Sequence, residues 1–170
     1  ALEKRYPVLY LLHGINDTDE DWTSDPHHNS WETIQGLMDY AIQHDHLAEM
    51  IIVMPNERTS FMGSFYTNSE VTGHWEDFTA VDLVHYVDET FRTIARREHR
   101  VVAGHSMGGY GTLKLVMKHA DVFSAGYAMS PAAFEWVRDW SPENPAFRSI
   151  LDMQKMPELK SENIYPLAII

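Results

Sequence analysis

The sequence predicts an α/β fold: one domain over residues 1–170, with a mostly parallel sheet covered on both faces by helices. Three observations carry that prediction. Short apolar runs recur along the chain, continuous rather than alternating, as in strands buried on both faces. Segments with apolar residues at helical spacing lie between them. The bulk composition, 44% hydrophobic and 22% charged over 170 residues, is that of a globular domain with a sizeable core.

"PVLYLL" (7–12) is the first strand, ending at His13-Gly14. A polar stretch rich in Asp, His and Asn follows as a loop. "NSWETIQGLMDYAIQ" then places Trp31, Ile34, Leu37, Met38 and Ala41 at helical spacing, with Asn29 and Glu32 spaced as a capping box. "MIIVMP" (50–55) is the second strand, stopped by Pro55. "WEDFTAVDLVHYVDETFRTI" carries Phe78, Val81, Val84, Val87, Phe91 and Ile94 on one face, the strongest helical stripe in the chain. "RVVAG" is the third strand and "SAGYAMS" (124–130) the fourth, with a helix between them. Residues 131–165 are irregular and proline-containing, with a helix expected near "AFRSILDM"; "YPLAII" reads as a fifth strand.

Charge and composition exclude several functions. A formal charge of −12 repels nucleic acid and anionic lipid alike, so neither is an expected partner. No apolar run approaches the roughly 18 residues of a membrane helix, and no insertion is expected. The chain has no cysteine, which removes disulfides, thiolate catalysis and cysteine-zinc sites. "PHHNS" and "HDH" lack a converging third ligand, and "DTDEDW" lacks the glycine and terminal glutamate of a calcium loop. No metal or cofactor is expected, and these segments read as solvated loops and helix ends.

The chemistry lies in "VVAGHSMGGYGTLKLVM" (101–117), an apolar strand, a glycine-rich turn and a helix. G-x-S-x-G alone is weak, arising by chance in roughly one chain in twenty of this length. Between a buried strand and a helix it becomes specific, because there the turn lifts the serine hydroxyl clear of the sheet edge. A strained serine also needs neighbours without Cβ atoms, which Gly104, Gly108, Gly109 and Gly111 supply. Serine attack on a carbonyl creates an oxyanion that needs two preorganised N–H donors. Met107, next after Ser106, offers one; Ile15, in the His-Gly loop of "LLHGIN", offers the second. Ser106 is the candidate nucleophile.

"YPVLYLLHGINDTDEDW", "SFYTN", "HWEDF…DLVHYVDETFRT" and "GHSMGGYGTLKLVMKHADVFSAGYAMSP" together resemble the esterase D/Putative esterase family of α/β-hydrolases. That family includes feruloyl and acetyl xylan esterases, S-formylglutathione hydrolases and the antigen 85 mycolyltransferases. The resemblance implies the three-layer hydrolase fold and a Ser–Asp/Glu–His triad in that chain order, with Ser106 as nucleophile. It also implies that Tyr66 and Trp75 lie near the acyl or sugar site. Relatives carry strands ahead of "YPVLYLL", and a catalytic acid and histidine beyond the strand that "YPLAII" begins. The fold is therefore expected to be truncated at both ends, with neither triad partner inside residues 1–170.

Nothing inside the chain replaces those partners. His13 and His105 belong to the two turns, and His119 lies at the far end of the helix, about 20 Å from Ser106 at 1.5 Å per residue. His27, His28, His44, His46, His74 and His85 precede the serine, against the family's chain order. Asp139, Glu143 and Asp152 fall in the irregular segment and read as solvated. The aromatic residues Phe61, Phe65, Tyr66 and Trp75 fit either stacking on a phenolic or sugar ring or packing on themselves. The expected activity is serine carboxylester hydrolysis of a small acyl or aryl ester, including feruloyl or acetyl esters on polysaccharide. The alternatives are acyl transfer to a sugar hydroxyl and a catalytically incomplete hydrolase module with a binding role.

Overall fold

The computed structural model describes residues 4–24 and 33–132, with 143 and 148 as isolated positions. The chain packs as two compact units, Ala1–Ala132 and Ala133–Ile170, and the first is described here. The expected capping residues Asn29 and Glu32, the helix near "AFRSILDM" and the strand at "YPLAII" lie outside the described residues.

Four parallel strands form the central sheet: β1 (Val8–Leu12), β2 (Ile51–Val53), β5 (Arg100–His105) and β6 (Ala125–Met129), in the order β2-β1-β5-β6. A two-stranded antiparallel hairpin, β3 (Asn68–Ser69) with β4 (Gly73–His74), was not legible in the sequence. The helices are α1 (Ile34–Gln43), α2 (Trp75–Asp77), α3 (Leu83–Thr90) and α4 (Met107–Lys118). The four long apolar runs thus became parallel strands, as expected. Only the two inner ones are well buried; β2 is half-buried throughout and β6 largely exposed, as the outer strands of the described sheet.

Two helices differ from expectation. α1 begins later, at Ile34, because Thr33 caps it by accepting the Gly36 amide at 3.0 Å. It buries Met38 while Leu37 faces out, 52% exposed. The stripe expected over 75–94 is interrupted by a π-helical turn, Phe78–Asp82, between α2 and α3. Glu76, Thr79, Ala80, Val84 and Val87 face inward, the two valines as expected, while Val81, inside the π turn, and Phe91, just past the end of α3 in extended backbone, face out.

The core lies against β1 and β5, where Val8, Tyr10, Leu12 and Val102 meet Val84, Val87, Leu115 and Phe123. The Tyr10 and Phe123 rings pack edge to face with centroids 5.6 Å apart. Each such aliphatic side chain contributes about 1.5–3 kcal/mol by leaving water. The register sets Leu12 opposite Gly104 and His105 opposite Met129. The loops at His13, Ser106 and Ser130 therefore leave the sheet at one carboxyl edge, where open α/β sheets place their sites.

Candidate active site

Ser106 stands between the last residue of β5 and the first of α4, with φ 54° and ψ −112°. Such a conformation costs a non-glycine residue about 1–3 kcal/mol and persists only where its surroundings over-determine it. Here they do. The Ser106 amide donates to Met129 O at 3.0 Å, and Ser106 O accepts the amides of Tyr110 at 3.0 Å and Ala132 at 2.9 Å. Two glycines permit the turn's close approach to β1. A Cβ on Gly108 would lie 2.2 Å from Leu12 O, and one on Gly104 would lie 2.4 Å from Gly108 O. The Ser106 side chain is half-buried, outside the packed core, and its hydroxyl has no hydrogen-bond partner among the described residues.

The loop after β1 comes to the same place. A Cβ on Gly108 would also lie 2.8 Å from His13 O. One on Gly63 would meet Met107 Sδ at 2.3 Å and Ile15 Cγ1 at 3.7 Å. Ile15 and Met107 thus flank one glycine, although 92 positions of sequence separate them. Neither amide hydrogen has a partner among the described residues.

His13 orients the peptide that carries the Ile15 amide. Its ring is fully buried, and Nε2 accepts the Glu57 amide at 2.9 Å. Nε2 is therefore unprotonated, and Nδ1–H donates to Gly14 O at 2.8 Å. Gly14 C=O and Ile15 N–H belong to one trans peptide plane and point in opposite directions. Anchoring the carbonyl on the His13 side turns the Ile15 N–H the other way.

Tyr66 braces the same loop. It is fully buried, its hydroxyl donates to His13 O at 3.0 Å, and its ring fills the space that a Cβ on Gly111 would occupy at 2.4 Å. Burial holds its phenol protonated, well above the ordinary range. Both its ring and its hydroxyl are held inside the protein, beside the loop that carries the Ile15 amide.

Trp75 is half-buried at the start of α2, donates from Nε1 to Thr72 O at 2.7 Å and meets the Phe78 ring edge to face. Its neighbour Glu76 binds the distal half of α4, through Lys114 at 2.8 Å, Lys118 at 2.7 Å and His119 at 3.0 Å. His119, at the far end of α4 as expected, is a partner of Glu76. Among the described residues Phe65 meets Tyr110 and Trp75 meets Phe78, while Phe61 is 58% exposed.

Sequence reasoning missed Glu57. Its carboxyl is fully buried, accepts from Ser64 Oγ at 2.6 Å and pairs with Thr79 Oγ1. Burial pushes it up to about 7, against the opposing pull of the two hydroxyls and of Lys114. Nothing in "MPNERTS" marks this glutamate out from the solvated carboxylates of an acidic chain.

A family model described as "Putative esterase" matches residues 1–165. An esterase of Mycobacterium tuberculosis is 34% identical over 134 residues, covering 76% of this chain and 26% of that protein. A ferulic acid esterase of known structure aligns with a TM-score of 0.65 at 35% identity, over 77% of this chain and 48% of that one. A fluorophosphonate-binding serine hydrolase of Staphylococcus aureus, solved with substrate bound, gives 0.60 at 25% identity, over 96% and 58%. This chain spans about a quarter of the length of the mycobacterial relative.

Proposed function

Because this chain belongs to the Putative esterase family and has the α/β-hydrolase fold, we propose that residues 1–170 belong to one hydrolase domain whose nucleophile is Ser106. The reaction is hydrolysis of a small acyl or aryl ester through an acyl-enzyme. The observation that carries this reading is the pairing of a strained Ser106, φ 54°, with two unpartnered amides, Ile15 and Met107, beside Gly63.

Ser106 Oγ attacks the ester carbonyl while a general base takes its proton, since a hydroxyl is a weak nucleophile until it is deprotonated. None of the histidines among the described residues is hydrogen-bonded to Ser106. The carbonyl oxygen gains charge as the tetrahedral intermediate forms, and the Ile15 and Met107 N–H groups receive it. One such donor is worth about 3 kcal/mol of barrier. Collapse expels the alcohol, and water attacking the acyl-enzyme releases the acid. The ferulic acid esterase relative supports an ester of an aromatic acid, such as a feruloyl group on polysaccharide, as substrate.

An alkyl fluorophosphonate tests this on the protein that carries both Ser106 and its general base, because it phosphonylates an activated serine without needing the correct leaving alcohol. One equivalent of adduct, absent in Ser106→Ala, is the expected result. A folded chain that takes no label, or a label that survives the substitution, overturns the reading.

A further inference from the structure

The carboxyl of Glu57 takes no part in the chemistry above, yet it controls both handles on His13. Its side chain joins Ser64, in the loop after β2, to Thr79, in the π turn between α2 and α3. That fixes the backbone amide of Glu57, which grips His13 Nε2 at 2.9 Å. Ser64 Oγ also accepts the Tyr66 amide at 2.8 Å, and Tyr66 in turn grips His13 O at 3.0 Å. The His13 ring sets the Gly14–Ile15 peptide, and Tyr66 sets the carbonyl just before it.

We infer that Glu57 acts as a neutral carboxylic acid, a protonated strut that positions the His13–Ile15 loop opposite Ser106.

Proton counting carries the inference. Ser64 Oγ accepts from Tyr66 N–H, so its one hydrogen is free to donate to Glu57 Oε2. Thr79 has one hydroxyl hydrogen and two neighbouring acceptors, Glu57 Oε1 and Trp75 O, the latter at 2.8 Å. If Glu57 is ionised, Thr79 must abandon Trp75 O to serve it. If Glu57 is neutral, its own O–H donates to Thr79 Oγ1, Thr79 donates to Trp75 O, and each hydroxyl in the chain donates once. The charges around it agree. His13 faces Glu57 as a neutral ring, and Tyr66 keeps its proton. Lys114, the nearby cation on α4, spends its three hydrogens on Glu76 at 2.8 Å, Thr67 Oγ1 at 2.7 Å and Tyr66 O at 3.2 Å. A fully buried carboxylate without a paired cation is costly, and the protein avoids that cost by keeping the proton.

Glu57→Gln reproduces the neutral acid, with its carbonyl accepting from Ser64 and its amide donating to Thr79. Glu57→Asp keeps the charge option but is one methylene too short to span both hydroxyls. The experiment is infrared difference spectroscopy of the parent against Glu57→Gln at pH 5.5, with thermal midpoints of parent, Glu57→Gln and Glu57→Asp from pH 4.5 to pH 8. The parent is expected to show a protonated-carboxyl C=O band that Glu57→Gln lacks. Its midpoint is expected to fall relative to Glu57→Gln as pH rises, by several degrees overall, with Glu57→Asp low throughout. No such band, together with a pH-independent gap between parent and Glu57→Gln, overturns the inference. A fluorophosphonate arm separates it from the esterase reading on which its positioning role rests. If the parent labels at Ser106, the parent-to-Glu57→Gln ratio of labelling rates should fall severalfold from pH 6 to pH 8, and a constant ratio removes the positioning role. If the parent does not label, the esterase reading fails while the infrared band still decides the state of Glu57.

Discussion

Two buried glutamates flank α4 and behave oppositely. Glu57, near the Ser106 turn, meets only hydroxyls, and burial pushes it up to about 7. Glu76, beside the distal half of the same helix, meets Lys114, Lys118 and His119. There the hydrogen bonds from these three outweigh burial, which alone would raise it, and bring it down to about 2. Lys114 could serve either and is committed to Glu76. The difference teaches that burial alone does not set a carboxyl's state; the partners that follow it into the interior do. The distal end of α4 is a charged clamp that fixes the helix to α2. The proximal end, where Ser106 sits, is held by neutral hydrogen bonds and close-packed glycines.

The largest expected effects fall at the proximal end. Ser106→Ala removes the candidate nucleophile, and covalent labelling should disappear entirely while the far-ultraviolet dichroism stays unchanged. Gly108→Ala forces a methyl to within 2.2 Å of Leu12 O, a backbone atom that cannot step aside. A fall of more than ten degrees in the thermal midpoint, or an insoluble product, is expected; normal melting would mean that β1 and the turn are not in contact.

The clamp comes next. Glu76→Gln leaves Lys114 and His119 without their carboxylate in a largely buried setting, where breaking one partner of a buried pair costs about 3–5 kcal/mol. Lys118 is mostly exposed and should contribute little, so Lys118→Ala should lie within about 0.5 kcal/mol of the parent in urea unfolding. Equal losses for the two variants would contradict the division of labour drawn here.

Glu76 is depressed on folding, so its stabilisation is present above its ordinary value of 4.5 and is lost as pH falls toward about 2. Glu57 is raised, so its contribution is complete below 4.5 and is lost as pH rises through about 7, an effect on the order of 3 kcal/mol. Glu76→Gln should flatten the acid limb of a stability profile, and Glu57→Gln the limb between 4.5 and 7. A smaller effect than that of Glu57 itself is expected from Thr79→Val, which removes one hydroxyl from Glu57 at a cost of about 1–2 kcal/mol in chemical unfolding.

What could be read from the sequence divides along the same line. The Ser106 turn is a local device: strand, glycines, serine and helix lie within 17 residues, so residues 101–117 display it directly. The strands were legible because continuous apolar runs need no long-range information. The stripe over 75–94 held at Val84 and Val87 but not at Val81, which lies in a π turn that no residue in that run announces, nor at Phe91, where α3 has already ended. The bracing role of Tyr66 was not legible because it depends on Gly111, 45 positions away, whose missing side chain admits the ring. Glu57 was invisible for the same reason. Its burial is made by the loop at His13, by Ser64 and by Thr79, which meet only after the sheet has brought them together.

The central claim is that Ile15 and Met107 amides face one oxygen bound at Ser106. Amide proton shifts in 15N-labelled protein, before and after phosphonylation of Ser106, test it most directly. The account predicts that the Ile15 and Met107 protons both move downfield on adduct formation, as they gain an anionic acceptor, while amides in α1 stay in place. An adduct on Ser106 that leaves either of those two resonances where it was would contradict it.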